Sequence, residues 1–132
     1  MSDTIINRVG RVAVPVTDQD RAIQFYTETL GFELLGDTPY GEDSDDRWVE
    51  VAPPAGGTAL AIVPPRPGGP VGIDTNIILT TGDIDAAHAD LRSRGVDVDD
   101  EVSRMGDPVP PMFWFRDQDQ NTLLLVEERA QQ

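Results

Sequence analysis

The sequence predicts an α+β fold made of two βαβββ modules. Three observations predict it: a strand, capped helix and closing glycine that occur twice, an offset of about 65 residues between the copies, and a proline-rich segment separating them. The expected organisation is one domain over residues 1–132, with a first module at 8–63, a linker at 64–73 and a second module at 74–128.

In the first module, Val12, Val14 and Val16 alternate with Arg11, Ala13 and Pro15, the period of a strand with two unlike faces. Pro15 marks a strand edge or interrupted pairing. Thr17 or Asp18 then caps a helix whose apolar stripe is Ala22, Phe25, Tyr26 and Leu30, and Gly31 closes it. Strands follow at 32–35, 48–51 and 59–63. The segment Pro64-Pro-Arg-Pro-Gly-Gly-Pro70 is too rich in proline for a helix or central strand and reads as a semi-rigid linker.

The second module restarts with Asn76-Ile-Ile-Leu-Thr-Thr81 as a strand. Asp83 caps a helix carrying Ile84, Ala87 and Leu91, and Gly95 closes it. Strands at 96–98, 112–115 and 122–126 complete the set. Setting Arg11 on Asn76 also sets Asp18 on Asp83 and Ala22 on Ala87. One helix per module covers only one face of its sheet. The other faces must meet each other, meet another subunit or enclose a ligand.

Composition narrows the chemistry. Cysteine is absent, so disulfides and thiolate catalysis are excluded, and all ten basic residues are arginine, which excludes a lysine Schiff base. A net charge of −14 argues against nucleic acid, whose binding depends on neutralising phosphates, and suits a cationic ligand or solvated acidic loops. No apolar run reaches the ~20 residues of a membrane helix, and no secretory leader is legible, so the expectation is no membrane association and a cytoplasmic location.

Val12-Ala-Val-Pro-Val-Thr-Asp18, Arg21-Ala-Ile-Gln-Phe-Tyr26, Leu30-Gly-Phe32 and Phe115-Arg-Asp-Gln-Asp-Gln-Asn121 resemble the vicinal oxygen chelate superfamily. That group includes glyoxalase I, extradiol dioxygenases, fosfomycin-resistance transferases and bleomycin-resistance proteins. The resemblance spans nearly the whole chain and implies a glyoxalase-like cupped mixed sheet. It also implies metal-ligand positions at Arg11, Ala61, Asn76 and Leu124. These do not make a ligand set: arginine has no free lone pair, Ala and Leu offer no donor, and one Asn carbonyl cannot hold a divalent ion. The expectation is therefore no metal and no cofactor. His88, beside the second helix's apolar stripe, reads as a packing or surface residue. The turn Asp117-Gln-Asp-Gln-Asn121 carries Gln120 where similar proteins have a glycine of positive φ.

If those four positions face a cavity, alternation puts Ala13, Ala59, Val63, Ile78, Thr80 and Thr122 beside them. Val12, Val14, Leu60, Ile62, Ile77, Leu79, Leu123 and Leu125 then pack under the helices. Phe113 and Phe115 take the helix side, leaving Met112 and Trp114 inward; Val49 and Val51 do the same, leaving Trp48 and Glu50 inward. The expected ligand-binding residues are thus Arg11, Trp48, Glu50, Asn76, Met112 and Trp114, apolar walls with a few polar groups to fix orientation. Glu50 could equally serve Arg11 as a structural partner, and the tryptophans could fill an interface or a core.

Three functions compete. The first is a metal-independent module that sequesters a small organic ligand, aromatic, conjugated or cationic, as bleomycin-resistance proteins capture a drug. The second is a metal-free isomerase or lyase with Glu50 as general base and Arg11 or Asn76 stabilising negative charge. The third is an accessory domain with a vestigial cavity. A homodimer is expected in each case, because each module leaves one face uncovered.

Overall fold

Asp18 turns the chain from strand to helix: its carboxylate accepts from the N–H groups of Asp20 and Arg21 at 3.0 and 3.2 Å. The computed structural model describes residues 4–128, and the two ends of the expected 1–132 domain lie outside that span. The first module comprises β1 (Arg11–Pro15), α1 (Gln19–Gln24) continuing as a π-helical stretch (Phe25–Thr29), β2 (Glu33–Pro39), β3 (Arg47–Ala52) and β4 (Ala59–Val63). The second comprises β5 (Asp74–Thr81), α2 (Ile84–Ser93), β6 (Asp97–Val98), β7 (Met112–Arg116) and β8 (Thr122–Glu127). Asp83 caps α2 by accepting from the Ala86 N–H at 3.1 Å. Gly31 and Gly95 sit at φ +82° and +81°, where a closing glycine is needed.

Each module forms one mixed four-stranded sheet, in the orders β1-β4-β3-β2 and β5-β8-β7-β6. The corresponding outer strands, β1 and β5, run parallel to β4 and β8, and the remaining pairs are antiparallel. This is the α+β architecture of two βαβββ modules that the duplicated pattern predicts. Among the described residues no helix is long and apolar enough to cross a membrane.

Some boundaries differ from the sequence reading. Strand β2 runs on to Pro39 rather than ending at Leu35, because pairing with β3 carries it past Gly36 and Asp37, residues of poor strand propensity. The second half of the first helix widens to i→i−5 bonding, as in Leu30 N–H to Phe25 O at 3.0 Å. Strand β5 begins at Asp74 and its register against β8 shifts between Asp74 and Ile78.

One apolar core spans both modules. Val14, Tyr26, Val49, Val51, Leu60 and Ile62 join Ile84, Leu91, Phe113, Phe115, Leu123 and Leu125. Its strand residues are ones that alternation assigns to the helix side; Val12, Ile77 and Leu79, assigned there too, pack against it partly buried. His88 packs edge-on against Phe113, with ring centroids 4.9 Å apart, and its Nε2 lies 2.6 Å from the Asp99 carbonyl oxygen, a packing role as expected.

The turn between β7 and β8 fastens the modules together. Tyr26 donates its hydroxyl to the buried Asp117 at 2.9 Å, and Thr17 donates to Asp119 at 2.6 Å. Buried Asn121 donates to the Pro15 carbonyl at 2.9 Å and accepts from the Gly72 and Ile73 N–H groups at 3.0 Å each. Gln120 has φ +65°, the glycine-like conformation expected at this turn.

Candidate functional site

On β3, Val49 and Val51 are fully buried, so Trp48 and Glu50 project from the opposite, open face. Strand β4 separates β3 from β1 and presents the small Ala59 and Ala61 beside Arg11 and Glu50 respectively. Two strand spacings amount to about 10 Å, a gap that an extended arginine and a glutamate close only over short side chains. They do close it: Arg11 Nε lies 2.8 Å from Glu50 Oε2. The Trp48 indole N–H donates to the same oxygen at 2.5 Å. Ala59 and Ala61 are buried on this otherwise open face, as they would be with that pair lying across them.

The two donors hold the Glu50 carboxyl below the usual carboxylate range, the indole hydrogen bond contributing most and the Arg11 hydrogen bond next, against an opposing effect of burial. Glu50 is therefore a charged acceptor at neutral pH and a weakened proton acceptor. The Tyr40 ring lies 6.4 Å from that of Trp48, tilted by 42°, and adds a second aromatic ring beside it. Trp48 is 41% exposed and the Arg11 side chain 55%, while that of Glu50 is 15%.

The second sheet also places a tryptophan and an arginine on one face. Phe113 and Phe115 are buried, and Met112, Trp114 and Arg116 are half-buried on the other face. Asp99 accepts from the backbone N–H of Trp114 at 3.1 Å and from Arg116 Nη2 at 2.9 Å, and Asp97 lies 3.8 Å from Arg116. Each tryptophan thus sits beside an arginine–carboxylate pair. The Arg116–Asp99 pair escapes sequence reasoning. Alternation past Phe115 puts Arg116 on the face of Trp114, but its partner comes from a separate loop.

Asn76 belongs to neither group. It has φ +59° at the irregularity in β5, and its N–H is accepted by Asp74 Oδ1 at 3.1 Å. Asparagine is among the few residues that tolerate this left-handed conformation, so its identity has a local backbone reason. It lines an open groove of about 640 Å³ between the modules, with Val9, Phe32, Pro53 and Thr80, and none of the other five expected site residues reaches that groove. The structure joins Arg11, Trp48 and Glu50 by direct contacts, and places Met112 and Trp114 on one face of the second sheet.

The positions that would hold a metal do not fit one. Arg11 is engaged with Glu50, Ala61 is buried, and Leu124 is apolar. Among the described residues no three His, Asp or Glu side chains are grouped to hold an ion.

A family model described as the glyoxalase/bleomycin resistance protein/dioxygenase superfamily matches residues 8–125. The uncharacterized protein YetH of Bacillus subtilis (strain 168) is 34% identical over 129 residues, covering 93% of this chain and all of that one. Among solved structures, TnmS3, an antibiotic binding protein from Streptomyces sp. CB03234, superposes with a TM-score of 0.80 at 38% identity, covering 95% of this chain and 98% of its own. A superfamily member from Sphaerobacter thermophilus DSM 20745 gives 0.83 at 36% identity, covering 95% of this chain and 100% of its own.

Proposed function

The chain belongs to the glyoxalase/bleomycin resistance protein/dioxygenase superfamily, and on that premise we propose that it captures a flat aromatic or conjugated small molecule without a metal. The observation that carries this reading is the exposed Trp48 held by its indole beside the Arg11–Glu50 pair on the open face of the first sheet, with the half-buried Trp114 next to Arg116 on the second. A flat ring gains dispersion and stacking against indole, and the neighbouring polar groups fix its orientation. Similarity to an antibiotic binding protein over nearly the full length of both chains favours capture over turnover. Glu50 as a general base is the weaker alternative, because two donors occupy the same oxygen and lower its basicity.

Native mass spectrometry against a panel of aromatic natural products, after exhaustive chelation, tests the proposal. One compound retained per chain without added metal is the expected result. Retention that appears only on restoring a divalent ion would overturn it.

A further inference from the structure

The polar groups beside Trp48 compensate one another. Arg11 and Glu50 meet at 2.8 Å, and Glu50 is pinned a second time by the Trp48 indole, so it cannot turn toward a cation without giving up two donors. On the other sheet Arg116 is shared between Asp99 at 2.9 Å and Asp97 at 3.8 Å, and Asp99 also accepts from the backbone N–H of Trp114. A charged molecule entering the Trp48 site sheds water and meets an ion pair of no net charge, whereas an uncharged one loses little. The overall charge of −14 does not reverse this. Charges beyond about 8 Å are screened at physiological salt, and they act on encounter rates more than on selectivity.

Resting on the capture reading above, we infer that the ligand is electrically neutral, with carbonyl or hydroxyl oxygens along one edge of its ring system. Arg11 meets Glu50 through Nε, which leaves its terminal amino groups to donate to such oxygens, and its guanidinium is half exposed. Trp48 supplies the stacking surface beside them.

Three naphthalene probes that differ only in charge test this by tryptophan quenching: naphthylmethanol, naphthylmethylammonium and naphthoate. The alcohol should bind at least about tenfold tighter than either ion. Its Kd should move by less than about twofold between roughly 0.05 and 0.5 M salt. Glu50→Gln uncovers Arg11 and should improve naphthoate by about tenfold relative to the alcohol, in protein whose melt confirms folding. If the ammonium probe binds tightest to the native chain, or if the variant leaves the ranking unchanged, the neutral-ligand inference fails while capture stands. Quenching by none of the three would overturn capture itself. Should the variant not fold, the ranking and salt response of the native chain still decide.

Discussion

Phe113 and Trp114 are neighbours in sequence with opposite roles. Phe113 is fully buried against the core of both modules, while Trp114 is half-buried on the open face. Phe113→Ala should destabilise the fold by about 3–5 kcal/mol, the usual loss for emptying a packed aromatic site. Trp114→Ala should shift the melt far less, since that surface is already partly solvated. Paired thermal melts check this, and the reverse order would invert the face assignment. That assignment is legible in the sequence because strand alternation is a local property of Met112-Phe-Trp-Phe115 and of Trp48-Val-Glu-Val51. Asn76 shows the limit of the same logic: alternation treats it as an ordinary strand residue, whereas it falls where the register of β5 against β8 shifts, with its backbone at φ +59°. The Arg116–Asp99 pair was illegible for a related reason, since its two residues come from separate segments that only the fold brings together.

At the level of elements, the turn between β7 and β8 is tied to α1 through Tyr26 and Asp117. Burial raises the Tyr26 pKa well above the usual tyrosine value, with the Asp117 charge and hydrogen bond adding to it. The neutral phenol is thus the folded form. Its contribution is complete below the unfolded pKa of about 10 and is lost as pH rises beyond it, because the unfolded chain ionises first. Tyr26→Phe should therefore lower stability by about 1–2 kcal/mol at neutral pH and flatten the alkaline fall. Denaturant midpoints for both proteins from about pH 7 to 11 test this; parallel falls would remove Tyr26 from the account. In the sequence the Asp-Gln-Asp-Gln-Asn turn carries a resemblance and nothing more. Its fastening role depends on Pro15, Gly72 and Ile73, partners 106, 49 and 48 residues away.

For the molecule as a whole, the helix faces of both modules share one core and the opposite faces stay open, with Trp48 41% and Ile78 61% exposed. Apolar side chains left in this way are a surface for a ligand or a partner. A homodimer that covers them should bury more than about 1,000 Å² in total, as stable contacts do. Analytical ultracentrifugation at micromolar concentration should find two chains per particle, and a monomer would contradict this. The central claim is capture of a flat molecule on the tryptophan faces without a metal. Its most direct test is a quenching titration of chelated native protein, Trp48→Ala and Trp114→Ala, against the compound retained most strongly. Saturable metal-free binding to the native chain is expected, weakened at least about fivefold by each substitution while the melt stays cooperative, the equivalent of about 1 kcal/mol of lost stacking. Unchanged affinity in both folded variants would contradict it.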